Sequence, residues 1–327
     1  MIDVIIPAYN AHKTMARLLG SIVMQVNVED LNVVIVNDAS DRDYSEFVTA
    51  FSPFVKIKEV KMEKNGGPGT ARRVGMENSS SEYLTFIDAD DTFFDAYSLK
   101  NLHKAITENN KDCIISTFVE EVRDEKGETK FVPHPSDMVW VFGKMYRRAF
   151  LEKYNLKFND TRANEDNGFN TAVSLLSDKV ALLENVATYY WHWTETSITR
   201  NNDYAFNGME GFIDNQIWAL DIVLKNEHNN ELCIDKMLKN LIMLYFYMCQ
   251  FVGTGRDMKK YFKWCKNYYE HAYKRVCADL PPERIMKAYI ETLNGTDVMK
   301  TVVPIITYGQ FISILEGKGN LEQYGIK

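Results

Sequence analysis

The chain has 327 residues, a formal net charge of −7, 46% hydrophobic and 25% charged side chains. This is ordinary globular composition, enough for one large or two domains, and the acidic balance argues against charge-driven binding to nucleic acid as the default. Five cysteines with no CxxC pair argue against a disulfide framework or a zinc site. The longest apolar run, Leu241–Phe246, falls far short of the roughly 20 residues of a bilayer span. No signal-peptide pattern opens the chain, so a cytoplasmic protein with reduced thiols is expected.

The first hundred residues alternate in period. Asp3–Ile6 reads as a strand ended by Pro7, and His12–Gln25 as a helix with apolar residues at Met15, Leu18, Leu19, Ile22 and Val23. Leu31–Val36 is a β-branched strand closed by Asn37-Asp38. A helix over Asp43–Ala50 and a strand over Val55–Val60 follow. A helix over Thr70–Asn78 is entered through Asn65-Gly66-Gly67-Pro68-Gly69, and the strand Glu82–Ile87 feeds Asp88-Ala89-Asp90-Asp91. Leu99–Asn109 predicts a helix, Cys113–Phe118 a strand and Glu120–Val132 a hairpin around Asp124–Gly127. Lys144–Tyr154 and Glu165–Leu176 predict helices, and Val180–Trp193 a strand. Beyond residue 202 the pattern becomes helical: Tyr204–Lys225, Glu231–Phe251, Met258–Val276, Glu283–Leu293 and Gly309–Leu315, broken at Pro281-Pro282. The expected architecture is an α/β domain over 1–202, with a largely parallel sheet and helices on both faces, and an all-α domain over 203–327. Ligands of such sheets sit beyond the carboxyl ends of the strands, where Pro7-Ala8-Tyr9-Asn10, Asn37-Asp38 and Asp88-Ala89-Asp90 all fall.

The acidic stretch carries the chemistry. Three carboxylates at a strand end repel one another and resist burial, and a cation relieves that repulsion. If the segment is extended, Asp88 and Asp90 share a face and aim at one hard ion, Mg2+ or Mn2+, whose shell substrate phosphates complete.

Taken in order, Val4-Ile5-Ile6-Pro7-Ala8-Tyr9-Asn10, Val36-Asn37-Asp38-Ala39-Ser40, Asn65-Gly66-Gly67-Pro68-Gly69-Thr70-Ala71-Arg72 and Phe86-Ile87-Asp88-Ala89-Asp90-Asp91 resemble family 2 glycosyltransferases of the GT-A fold. Phe158 and Asn164-Glu165-Asp166 resemble that family's downstream acidic motif, so the resemblance covers about the first 200 residues. It implies a UDP-sugar donor and transfer with inversion to an acceptor hydroxyl. Pro7, Ala8, Tyr9 and Asn10 then lie under the base and ribose, and Asp38 accepts the uracil imide N–H. Gly67 and Arg72 serve the nucleotide or its phosphates. Asp90 holds the metal directly while Asp88 and Ala89 face the nucleotide, and Asp91 has no assigned role. Asp166, beside Glu165, is the candidate general base.

A second segment, Trp191–Arg200, resembles the one that closes over the diphosphate in related enzymes. There Ser197, Thr199 and Arg200 would hold phosphate oxygens, and His192 would ligate the metal or touch a phosphate, although relatives often carry arginine at that place. Trp140, Trp191 and Trp193 are candidate sugar or acceptor platforms, each equally readable as core packing, whereas Lys144, Arg147 and Arg148 read as a solvated helix face.

The helical region interleaves aromatics with lysines, including Lys259, Lys260, Lys263 and Lys266. A core with a wet face accounts for this, as do acceptor binding, oligomerisation or attachment to anionic lipid. The acceptor is left open among polysaccharide, cell-envelope polymer, lipid, protein and modified nucleobase. So are a homo-oligomer, a peripheral contact on the inner face of the membrane, and nucleic acid as acceptor. Two rival readings are a catalytically inactive nucleotide-sugar scaffold and a sugar nucleotidyltransferase. The second would want a glycine-rich basic signature where Ala8-Tyr9-Asn10-Ala11 stands.

Overall fold

A computed structural model describes residues 1–28, 30–195, 203–228, 230–295 and 303–326, which divide into two compact units, Met1–Tyr204 and Ala205–Lys327. The first unit is built on a nine-stranded sheet. Its strands are β1 (Ile2–Ala8), β2 (Leu31–Asn37), β3 (Lys56–Lys61), β4 (Tyr83–Phe86), β5 (Thr92–Phe93), β6 (Cys113–Arg123), β7 (Thr129–His134), β8 (Lys144–Arg147) and β9 (Val180–Trp191). The order is β3-β2-β1-β4-β8-β6-β9-β5, with β7 paired to β6. Between or after the strands run α1 (His12–Val23), α2 (Ser45–Phe51), α3 (Gly67–Glu77), α4 (Ser98–Glu108), α5 (Arg148–Lys153) and α6 (Glu165–Leu176).

The parallel half of the sheet follows from its sequence. β1 and β2 are β-branched runs buried along most of their length, as strands flanked by helices must be. The amphipathic α1 turns Met15, Leu18, Leu19 and Ile22 into the core. α3 lies so close to β1 that a Cβ on Gly75 would come within 2.3 Å of Ile5 Cγ2. β1 pairs in parallel with β2, Ala8 opposite Asn37, and with β4, Ile5 opposite Phe86. The carboxyl ends of three adjacent strands therefore form one rim. The other half adds antiparallel pairs, β8 between β4 and β6, and β7 and β5 at their own partners.

Two expectations need correction. Lys144–Arg147 is not the start of a helix but strand β8, and only Arg148–Lys153 is helical. Its cations are likewise not solvated. Lys144 is buried and donates to the carbonyls of Trp140 and Phe142. Arg147 donates to the carbonyls of Ile106 and Lys111, and Arg148 reaches Asp3 and Ser79. Nor is the acidic stretch extended: β4 ends at Phe86, and the Asp91 N–H donates to the Asp88 carbonyl at 3.1 Å, closing a turn.

In the second unit the described helices are α8 (Met209–Lys225), α9 (Glu231–Phe251), α10 (Met258–Tyr268), α11 (Lys274–Cys277), α12 (Pro282–Gly295) and α13 (Tyr308–Leu315). A short α7 (Tyr204–Asn207) precedes them. Caps set several starts: Asn230 accepts from Cys233 N–H, Asp257 from Lys260 N–H, and Thr307 with Gln310 forms a capping box. The stretch expected as one helix over Met258–Val276 is interrupted by a π segment at Tyr269–Tyr273. Tyr245, Tyr261 and Tyr268 are buried, and each donates its hydroxyl to a backbone carbonyl, which makes them core residues. All five cysteines are free and buried. No described helix is long and apolar enough to cross a membrane.

Candidate active site

The rim is organised from β1 outward. After Ala8 the chain exposes Tyr9, 57% accessible, and turns through Asn10 in the left-handed region. Asn10 accepts from Asp41 N–H at 2.9 Å and donates its own N–H to Ser40 Oγ at 3.0 Å. The buried Tyr44, stacked on His12, accepts the Ala11 N–H. Pro7–Asn10 and the loop after β2 thus form one braced ledge. The Ser40–Tyr44 brace is not legible in the sequence, because its partners lie thirty or more residues away.

Asp38 follows β2 and is buried. Its two carboxylate oxygens accept the N–H groups of Gly66 (2.7 Å) and Gly67 (2.9 Å), the free donors at the start of α3. Gly67 is needed there, since its φ is +83°. Two residues on, a Cβ at Gly69 would lie 2.8 Å from Glu165 Cγ and 2.9 Å from the Asn159 carbonyl, so α3 and α6 touch through this glycine.

Arg72, on the next turn of α3, is the hub. Its side chain is 3% exposed, donates to Asp88 Oδ1 and to Glu165 Oε1 at 2.7 Å each, and lies over the Phe158 ring. Burial alone would disfavour its charge, but Asp88, Glu165 and Asp166 around it raise its pKa further. Arg72 therefore joins the turn after β4 to the acidic start of α6. Phe158 stacks face to face on Phe169 of α6 at 4.2 Å and completes the floor.

Asp166 is buried, and its carboxylate accepts the Asn167 N–H at 2.8 Å. Burial first, then the neighbouring Glu165 charge, raises its pKa, while Arg72 restrains the rise. Asn164 enters α6 with φ of 60°, which points the chain sharply into the helix.

In the turn after β4, Ala89 is buried and the Asp90 carbonyl accepts from Arg17 of α1, a residue the motif reading passed over. Asp91, previously without a role, is the anchor of the turn. It is 1% exposed and accepts the Tyr189 hydroxyl and the His192 N–H from the β9 end. Burial, then Asp90 and Asp88, drives its carboxyl well above the usual carboxylate range. This crowding of carboxylates and the all-oxygen donor set of Asp88 and Asp90 fit a hard divalent cation. Among the described residues no three His, Cys, Asp or Glu side chains form a ready-made metal cage.

His192 has one ring nitrogen 2.9 Å from Thr92 Oγ1 and the other 3.6 Å from Glu121, and burial with Arg17 nearby pulls its pKa down to about 4. Ser197, Thr199 and Arg200 lie outside the described residues. The tryptophans separate. Trp140 stacks on Phe142 at 5.4 Å and meets Trp191 at 5.5 Å, while Trp193 lies under Arg123. The Trp140 carbonyl accepts from both Lys144 and Asn170, one turn beyond Asp166, so the aromatic loop is tied to α6. Burial pulls Lys144 down to about 8.

Parallel strands ending on a ledge, a capped helix and an arginine-bridged acidic turn make an α/β fold whose polar groups converge beyond the carboxyl ends of the strands. Solved structures share it. Staphylococcus aureus TarS residues 1–349, solved with UDP-GlcNAc, superposes with a TM-score of 0.69 at 20% identity, covering 92% of this chain and 90% of that one. A Pyrobaculum calidifontis mannosyltransferase, PcManGT, solved with GDP-Man and Mn2+, gives 0.51 at 13% identity, covering 97% and 85%. The GT-A expectation for the fold therefore holds. Residues 3–163 match the profile of glycosyl transferase family 2, so this part of the chain belongs to that family. Among curated relatives, the glycosyltransferase GlyA of Streptococcus pneumoniae is 28% identical over 224 residues, 61% of this chain and 31% of GlyA. TarS, a poly(ribitol-phosphate) beta-N-acetylglucosaminyltransferase, is 26% identical over 200 residues, 58% of this chain and 35% of TarS. The matched segments thus span about a third of the length of these relatives.

Proposed function

We propose that the chain transfers a sugar from a UDP-sugar to an acceptor hydroxyl, with inversion at the anomeric carbon. The observation that carries this reading is Arg72, which ties Asp88 to Glu165 and so brings the acidic turn beside Asp166. The TarS complex with UDP-GlcNAc makes that sugar nucleotide the first donor to test.

In this reading Tyr9 covers the base, Pro7, Ala8 and Asn10 shape the ledge under base and ribose, and Asp38 accepts the uracil imide N–H. Asp38 is fixed for that task by Gly66 and Gly67. A carboxylate has about four acceptor sites, so two remain after the backbone contacts. Asp90, with Asp88, would hold Mg2+ or Mn2+. Such an ion, when bound, neutralises the charge that grows on the departing diphosphate. Arg72, held by two carboxylates, orients Asp88 toward the nucleotide. His192 would join the ion by exchanging its Thr92 or its Glu121 contact, and its backbone N–H sets the β9 end against Asp91. Ser197, Thr199 and Arg200 stay assigned to the phosphates.

Asp166 takes the proton of the acceptor hydroxyl as its oxygen attacks the anomeric carbon from the face opposite the phosphate. The bond to the phosphate oxygen breaks, and UDP leaves with that electron pair. A base with a raised pKa is well matched to a weakly acidic alcohol. Trp140 and Trp191, tilted 50° to each other, offer ring faces to a sugar, and the Trp140 carbonyl is tied to α6 through Asn170.

The test is turnover of UDP-sugars by wild type and Asp166→Asn. The reading expects slow UDP release by wild type, stimulated by Mn2+ or Mg2+, and lost in the variant while donor binding persists. Full turnover by the variant would remove Asp166 from its role.

A further inference from the structure

The helical unit holds a groove of about 510 Å³ that the transfer chemistry does not use. Its floor is apolar: Phe262 and Leu315 are buried, with Ile314 and Leu321 beside them. Its rim is cationic. Lys259, Lys263 and Lys266 stand on α10 at positions i, i+4 and i+7, one face of the helix, and all three are exposed. Glu322 and Asn320 are the other polar lining groups.

These lysines differ from their neighbours. Lys239 pairs with Asp235 and Glu291, Lys274 with Glu270, and Lys318 with Glu316. None of the three rim lysines makes an ion pair with another described residue. A row of unpaired cations above an aliphatic floor matches a ligand with an anionic head and a hydrocarbon tail. The volume lies within the range of small-molecule sites, roughly 300–1,000 Å³. A nucleic acid would instead want aromatic faces open for stacking, and the nearby rings of Phe262 and Trp264 are buried.

We propose that this groove seats an anionic membrane lipid, its acyl chain on Phe262, Ile314, Leu315 and Leu321 and its phosphate on the lysine rim. The chain then docks on a membrane surface without crossing it, as one inserted chain supported by a basic patch can do. The inference does not rest on the transferase reading.

The experiment is co-sedimentation of the full chain with phosphatidylcholine vesicles, with and without phosphatidylglycerol. Thermal shift with dihexanoyl-phosphatidylglycerol below its micelle concentration accompanies it. The chain is expected on anionic vesicles only, with binding weakened by salt. Each Lys→Gln at 259, 263 or 266 should weaken binding about fivefold, and the triple variant about a hundredfold. Leu321→Asp, on the half-buried lip of the floor, should abolish the shift by the short-chain lipid while leaving the unliganded melting transition in place. Inorganic phosphate, which has no chain, should give no shift. Equal binding to neutral vesicles, an unchanged triple variant, no binding to either vesicle, or an equal shift by inorganic phosphate would each overturn the proposal.

Discussion

Arg72→Met removes the guanidinium but keeps most of the side-chain length, and so isolates the charge at the hub of the rim. In the wild type this side chain is 3% exposed, its partner Glu165 6% and Asp88 28%. Asp88 can recover water, but Glu165 cannot. Breaking a buried ion pair by removing one partner costs about 3–5 kcal/mol, because the remaining charge stays desolvated. At about 2–4 °C per kcal/mol for a unit of this size, the melting transition of the first unit should fall by about 6–20 °C. The loss should also depend on pH. Asp166 already has a raised pKa from burial and from Glu165, and Arg72 is what restrains it. Without Arg72 the folded state holds that proton more tightly than the unfolded chain does. Stability from such a group is full at low pH and is lost as pH rises through the folded pKa. The deficit of the variant should therefore be smaller at pH 5.5 than at pH 8. Scanning calorimetry at the two pH values makes the measurement, with Arg72→Lys expected between wild type and Met because it keeps charge but not the two-pronged fork. A loss under about 1 kcal/mol, the same at both pH values, would refute the assignment of Arg72 as the residue holding Asp88 and Glu165 together.

Asp166→Asn should lower turnover by about 10²–10⁴-fold with little change in donor affinity, measured by UDP release and by calorimetric titration of the donor. Wild-type turnover should rise with pH through a midpoint above the usual carboxylate range, since deprotonated Asp166 is the active form and burial raises its pKa; a flat profile, or a limb that survives in Asp166→Asn, would assign the base elsewhere. Asp90→Ala should abolish the stimulation of UDP-sugar binding by Mn2+, and binding that is unchanged by both chelator and this variant would count against a cation at the turn. Gly69→Ala places a methyl 2.8 Å from Glu165 Cγ and 2.9 Å from the Asn159 carbonyl, so it should cost about 1–3 kcal/mol in thermal denaturation and lower turnover with it.

Local pattern carried much of this fold. Glu165–Leu176 and Glu231–Phe251 have the helix limits that their periodicity predicts. The rim was legible because each motif sits at the end of an apolar run, and parallel pairing brings such ends together. Contacts distant in sequence were not legible. Nothing around Arg72 announces Glu165, 93 residues away, so its buried bridge to that residue is not legible in the sequence. Lys144–Arg147 misled for a related reason. Its cations suggested a wet helix face, but the sheet places the segment between β4 and β6, where carbonyls of the Trp140–Phe142 loop receive Lys144. Asp91 looked redundant because its partners, Tyr189 and His192, arrive from β9, about a hundred residues on.

The most direct test of the central claim is a turnover assay with UDP-GlcNAc, other UDP-sugars and GDP-mannose, with Mn2+ and with chelator, following release of the nucleoside diphosphate. The account predicts release of UDP from one UDP-sugar, dependent on the cation and lost in Asp166→Asn. Release from GDP-mannose alone would contradict the uridine assignment of Asp38, and binding of a UDP-sugar with no turnover in the presence of cation and a panel of hydroxyl acceptors would contradict the claim that this rim is a working transferase site.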